Sequence, residues 1–345
     1  MHSLLLLALT SAQPPAAQPA DWVAAESAHL KNVKQVTSAF VRAGEGYFSA
    51  DGKQIVYQAE EKDTGNPFYQ IFVQNLDTGA FRRVSNGVGR TTCAYFHPSG
   101  KRLIYASSHS DPDAKKQYAA ELATRAEEQR TKTRRKYSWD FDPHMKIYEA
   151  DLDGSNLKCL TPDAKVYTAE GAYSADGSKI AYSAGNAGNV QIFTMNADGT
   201  GVKQVTTAKD CYNGGPFLSP DGSKIIFRSD RKEKDRLQLY VINADGTGEK
   251  ALTNDDKWVY WAPYWYKDGK HIVYTAADHS TMGRPNYDLY WMNIETGKST
   301  RLTHAPGQDV LPVFSPDGSK LMWTSSRDGR SPTQLYIADF TPPKE

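Results

Sequence analysis

The sequence predicts an all-β fold: a six-bladed β-propeller of four-stranded blades, closed by an N-terminal strand, with a helical insertion in blade two. Three observations predict it. A segment with a glycine turn between two apolar runs occurs six times along the 345 residues. A second pair of apolar runs, joined by another glycine turn, follows five of those copies. The sixth copy stops one strand short, and a segment of the missing form stands ahead of the first copy.

Composition agrees with this. Twenty Tyr, 12 Phe and 7 Trp beside 26 Gly and 18 Pro suit many short, aromatic-bearing strands joined by tight turns. The 41 basic and 40 acidic residues leave a net charge of +1, so no nucleic-acid partner or anionic bilayer is expected to attract the chain. No run of about 18 apolar residues occurs, and no transmembrane anchor is expected.

In chain order, residues 1–20 carry Leu4, Leu5, Leu6, Leu7 and Leu9, then the small residues Thr10, Ser11 and Ala12 and a Pro/Ala/Gln stretch. This reads as a short export signal, cleaved near Ala12, followed by a linker. It places the mature protein in the periplasm or outside the cell. No Cys follows the apolar run, so a lipid anchor is not indicated. Val33-Lys-Gln-Val-Thr37 has the form of Val202-Lys-Gln-Val-Thr206, the fourth strand of a later unit. It is therefore the expected partner of the last blade, where it removes two exposed edges.

The six turn segments are Phe48-Ser-Ala-Asp-Gly-Lys-Gln-Ile-Val-Tyr57 and the matching stretches at 96–105, 173–182, 218–227, 265–274 and 314–323. Their turn positions, Asp51, Ser99, Asp176, Asp221, Asp268 and Asp317, are separated by 48, 77, 45, 47 and 49 residues. Blade-sized spacing with one long gap puts an insertion at residues 107–146. The glycine after each turn position supplies the positive φ that a tight hairpin needs. Third and fourth strands follow, as in Leu239-Tyr-Val-Ile-Asn-Ala-Asp-Gly246 with Ala251-Leu-Thr253.

Within the insertion, residues 111–130 are rich in helix formers and begin with an acidic, proline-bearing turn, which predicts a helix of about four turns. Tyr118, Leu122 and Ala126 would share one stripe. A basic cluster, Lys132-Thr-Arg-Arg-Lys-Tyr137, comes next, and then Tyr137-Ser-Trp-Asp-Phe-Asp-Pro-His144, which belongs to no repeat. Loops that break a repeat are where function collects.

The repeats resemble the TolB-type WD40-like (PD40) propeller family, known by Ser-Pro-Asp-Gly, Leu-Tyr-x-x-Asn-Ala-Asp-Gly and Leu-Thr. The resemblance covers about residues 33–340. It implies a six-bladed propeller and a scaffold of the cell envelope. Proteins named TolB carry a separate α/β domain before the propeller; here residues 13–32 precede the first strand, so the propeller alone is expected.

Six residues before the turn positions stand Glu45, Cys93, Glu170, Gly215, Ala262 and Leu311, at the register of the channel-lining strand. Glu45 and Glu170, with Asp140, Asp142 and His144 from the insertion, are candidates for one rim. Oxygen and nitrogen donors of this kind suit a divalent cation in the channel, with Glu45, Glu170 and His144 as nominal ligands, or acid/base chemistry. Tyr212, Asn213, Trp258, Trp261 and Asp309 lie in the approach segments, where flat rings beside amides and carboxylates suit a sugar ring or a peptide side chain. No Ser/His/Asp triad, nucleophile elbow or phosphate loop is legible. Cys93, Cys159 and Cys211 form no close-spaced ligand pair. The expected function is an exported scaffold that binds an envelope protein or a small ligand, a carbohydrate or peptide, at the channel mouth and insertion. The alternative is a metal-dependent or acid/base lyase or hydrolase at the rim.

Overall fold

The computed structural model describes residues 21–133, 135, 139, 141–280, 283–327 and 332–344. The expected export signal at 1–20 and the candidate Asp140 lie outside the described residues. Six four-stranded antiparallel sheets make the six blades of a propeller. The innermost strands are Arg42–Phe48, Thr91–Phe96, Tyr167–Tyr173, Asn213–Leu218, Trp258–Trp265 and Asp309–Phe314.

The turn chemistry repeats atom by atom. Ser49 Oγ donates to Asp51 Oδ1 (2.6 Å), which also accepts the Lys53 amide (3.0 Å), and Gly52 sits at φ 69°. The same donors surround Asp176, Asp221 and Asp317. Hydroxyl and amide hydrogen bonds favour the charged form and lower all three carboxyls to about 2. At the outer edge, the hydroxyl of Ser85, Thr161, Thr206, Thr253 or Thr303 accepts an amide from the third strand of its own blade, at 2.8–3.0 Å.

Blade six takes its fourth strand from the other end of the chain. Leu30–Gln35 pairs antiparallel with Gln334–Phe340, in the register Leu30↔Phe340 and Gln35↔Tyr336. Thr37 Oγ1 accepts the Leu335 amide at 2.9 Å, the bond that the other five blades make within themselves. The short helix Trp22–Glu26 precedes this strand and anchors it through Glu26. Glu26 Oε1 accepts the amides of His304 (2.7 Å) and Ala305 (3.1 Å), and Arg327 reaches both carboxylate oxygens at 3.3 Å. Apolar residues fill the wedges between blades; Met322 and Leu335 of blade six pack in one cluster with Val56 and Val73 of blade one.

The insertion joins the second strand of blade two, Arg102–Ser107, to the third, Lys146–Asp151, and carries the helix Ala114–Thr131. Of the expected stripe only Tyr118 meets the blade, with its ring against Phe68. Leu122 and Ala126 are exposed, whereas Glu121, Arg125 and Glu128 on the next stripe are partly covered. Arg125 pairs with Glu60 of blade one (2.7 Å) and donates to the Pro67 carbonyl (2.8 Å). Tyr118 OH accepts the Gly89 amide at 2.6 Å. The surface beneath offers carboxylates and carbonyls, so an ion-pairing face docks there in place of an apolar one. No helix among the described residues is long and apolar enough to cross a membrane.

Candidate functional site

The six register positions counted from the sequence are one structural device. Glu45, Cys93, Glu170, Gly215, Ala262 and Leu311 all have positive φ, between 46° and 58°, and the pairing of each innermost strand slips at that point. Left-handed backbone at a non-glycine residue costs roughly 1–2 kcal/mol, but its recurrence in every blade makes it a bulge of the repeat and not a local strain for catalysis. The bulge turns an amide sideways to the preceding blade. The Glu45 amide donates to Thr324 Oγ1 (2.9 Å) and the Leu311 amide to Thr275 Oγ1 (3.2 Å). In blade four the Gly215 amide instead donates to Glu170 Oε2 at 3.0 Å.

Glu170 is thus the centre of a buried network. Tyr212 OH contacts both carboxylate oxygens, at 2.7 and 2.9 Å, and Arg228 Nη2 pairs with Oε1 and donates to Tyr212 OH at 2.7 Å. Burial disfavours the Arg228 charge, yet the facing Glu170 more than offsets it and holds the guanidinium above its usual range. Two glycines make the room. A Cβ on Gly214 would stand 1.9 Å from Tyr212 OH, and one on Gly215 would stand 2.0 Å from Arg228 Nη1.

Glu45 is less well served. Its oxygens accept long contacts from two hydroxyls, Tyr47 OH (3.4 Å) and Thr92 Oγ1 (3.5 Å), and a hydrogen bond from the Cys93 thiol. Burial pushes its carboxyl up; the Cys93 hydrogen bond opposes this and the Glu170 charge adds to it. The Cys93 thiol is pushed well up, first by burial and then by Glu45 and Glu170, so it stays protonated near neutral pH and is no thiolate nucleophile. Two residues further along the same strands, Tyr47, Tyr95, Phe217 and Tyr264 meet across the axis, with centroids 5.0–6.1 Å apart and the Tyr95 and Tyr264 hydroxyls 3.0 Å apart. They floor the channel. On the other side, the insertion brings Trp139, whose Nε1 donates to Tyr167 OH (3.0 Å), and Phe141, whose ring lies 5.4 Å from Tyr167 and 6.1 Å from Tyr212.

Glu45, Glu170 and Tyr212 therefore come together, with Cys93 between the two acids. His144 and Asp142 belong to a second cluster, with Asp111. Among the described residues, these three are the set whose donor atoms could hold a metal ion, all within 4.8 Å of one another; His144 does not join Glu45 and Glu170. Asn213 and Asp309 occupy one register in blades four and six and are fully buried. Asn213 Oδ1 accepts from Arg231 (2.6 Å), and Asp309 accepts from Trp323 (2.9 Å), Ser325 (2.5 Å) and Arg327 (3.0 Å). Trp258 packs against Tyr260 and Tyr290. Trp261 stands beside the bulge of blade five, at the register of Thr92, and its buried Nε1 has no acceptor. Arg228, Tyr167 and Asp111 escaped the sequence reading. A comparison among repeats marks Arg228, because the residue after the strand-two aromatic is Gln58, Ala106, Ser183, Thr275 or Thr324 in the other blades.

Residues 144–286 match the family model described as TolB beta propeller domain, PD40. Over that stretch the propeller is similar to the TolB beta propeller domain. A putative TolB from Agrobacterium tumefaciens has a similar structure, with a TM-score of 0.58 at 17% identity over 87% of this chain and 91% of that one. An oligogalacturonate lyase in complex with manganese aligns with a TM-score of 0.54 at 18% identity, over 89% of this chain and 80% of that one. Both likenesses are of fold. An uncharacterized protein of Agrobacterium fabrum is 46% identical over 44 residues, which is 13% of this chain and only 15% of that protein's length.

The state of Glu45 in this channel has a measurable consequence. A carboxyl whose folded pKa lies above its unfolded value loses stability as pH rises between the two. Glu45→Gln removes that loss. The variant should melt at the same temperature as the parent at acidic pH, and increasingly above it as pH rises from the ordinary carboxylate range towards 8. A constant difference across the series would mean that Glu45 is charged at no cost.

Proposed function

We propose that this TolB-like propeller is an exported binding scaffold of the cell envelope, and that it seats a ligand group at the channel mouth, between the aromatic floor and the blade-two insertion. The observation that carries this reading is the Glu45 carboxyl, a partly exposed acceptor inside the mouth whose two hydroxyl contacts are long. Beside it, Glu170 is fully engaged by its network. A ligand hydroxyl or amine would give Glu45 a short oxygen or nitrogen donor, and the partly exposed rings of Tyr212 and Phe141 offer flat faces to a sugar or a peptide side chain. The similarity to TolB structures supports a protein partner in the envelope, with the insertion as part of the contact. Export rests on the apolar amino terminus.

The test is a thermal-shift panel of amino sugars, short oligosaccharides and short peptides, run on the parent chain and on Glu45→Gln. Compounds that seat in the mouth should raise the parent's melting temperature by several degrees and shift the variant much less. Equal shifts in both proteins for every compound would refute the site.

A second reading is favoured by the same carboxyl. Burial pushes this carboxyl up, the direction that suits a group donating a proton, and a fold neighbour is an oligogalacturonate lyase. Glu45 would be the acid of a lyase or hydrolase, with Glu170 and His144 as further nominees. Turnover of oligogalacturonate or peptide that falls about 100-fold or more in Glu45→Gln would select this reading over the scaffold.

A further inference from the structure

We propose that Asp111, Asp142 and His144 form a divalent-cation site that ties the blade-two insertion across its base and takes a first-row transition ion such as Mn2+ or Zn2+. The proposal does not rest on the channel-mouth reading.

Asp111 follows the second strand of blade two and Asp142 and His144 precede the third, so the three stand at the two ends of the insertion. His144 Nδ1 lies 3.2 Å from Asp142 Oδ1 and 3.8 Å from Asp111 Oδ1. Donors bound to one ion at the usual lengths of about 2.0–2.2 Å lie about 3–3.5 Å apart, so small side-chain movements complete the set. The carboxylates are already oriented. Asp111 Oδ1 accepts the Asp113 amide (2.8 Å) and Oδ2 accepts Gln117 Nε2 (2.6 Å), while Asp142 Oδ1 accepts the His144 amide (2.8 Å).

The observation that points to a ligand is Asp142 Oδ2. Asp142 is 7% exposed, and this oxygen is buried with no hydrogen-bond partner. Asp111 beside it is equally buried. Two adjacent carboxylates out of water, one with an orphaned oxygen, are unfavourable unless a cation sits between them. Arg90 supplies part of the compensating field, but its guanidinium lies over the Phe68 ring, 4.3 Å from the centroid. His144 is half-exposed, which leaves one side open for ion entry and for water ligands. Two carboxylates with one imidazole favour Mn2+ or Zn2+ over Ca2+ or Mg2+, which take oxygen alone.

The experiment uses the full chain, stripped with EDTA and titrated with MnCl2 or ZnCl2 by calorimetry, with bound metal counted after gel filtration. One ion per chain is expected, with affinity reduced at least ~10-fold in Asp142→Asn and in His144→Gln. In EDTA, Asp142→Asn should melt no lower than the parent, because it removes an uncompensated charge; this separates lost binding from lost folding. Glu45→Gln and Glu170→Gln should bind the metal as the parent does. Failure of the parent to bind stoichiometrically overturns the site. So does binding that survives in His144→Gln and Asp142→Asn, or that disappears in the channel variants.

Discussion

Removal of residues 21–37 should abolish the monomeric, cooperatively folding protein. The deletion takes the fourth strand from blade six, the Thr37 hydroxyl from the Leu335 amide, and Glu26 from its contacts with His304, Ala305 and Arg327. Leu30 leaves its pocket against Phe340 and Trp323, where it is 3% exposed. A ladder of hydrogen bonds at about 1 kcal/mol each, with buried apolar side chains at about 1.5–3 kcal/mol each, is comparable with a whole domain's net stability of roughly 5–15 kcal/mol. The strand Gln334–Phe340 would also become a bare edge, open to pairing with another chain. Size-exclusion chromatography and urea unfolding decide the matter. A truncated monomer with an unchanged midpoint would show that the ring does not need this closure.

Arg327→Met should be the most costly of the single substitutions considered for this chain, by about 3–5 kcal/mol, because it leaves two buried carboxylates facing each other without their cation. Arg327, Glu26 and Asp309 are all 3% exposed or less, and the guanidinium also lies over Trp323 at 4.9 Å and Tyr336 at 5.6 Å. Burial pushes the Glu26 carboxyl up even with Arg327 present, the arginine opposing that shift. Without the arginine the folded value rises further above the unfolded one. The penalty should then be largest at neutral or higher pH and shrink as acid protonates Glu26 in the folded state. Urea midpoints across pH 5 to 8 measure this, and Glu26→Gln added to Arg327→Met should recover part of the loss. A penalty that does not change with pH, or a double variant no better than the single one, would contradict the account.

Asp309 and Asn213 show what polarity alone leaves out, the internal partner of a buried polar group. Both stand in approach segments and look like ligands in the sequence, but each sits opposite an arginine two residues after a serine, in Ser325-Ser-Arg327 and Ser229-Asp-Arg231. That second signal is spread over separate strands and is read only when they pair. Arg228 stands where the other blades carry small or uncharged residues and is marked only by comparing the repeats, and Asp111 lies in a turn whose acidic character fits a helix start equally well. The insertion helix was placed correctly along the chain, whereas its docking face followed the carboxylates and carbonyls presented by blade one.

The number of blades, their hairpin turns, the N-terminal closing strand and the six matching register positions of the innermost strands were all determined by the sequence alone. They depend on residues a few positions apart, or on copies of one unit that repeat the same local chemistry. Only the tertiary structure decided that Arg228 joins Glu45, Cys93 and Glu170 at the channel mouth while His144 stands apart with Asp111 and Asp142. Those meetings depend on how wedges from distant parts of the chain rotate about one axis, and on where an insertion outside the repeat comes to rest. Local periodicity carries no information on either.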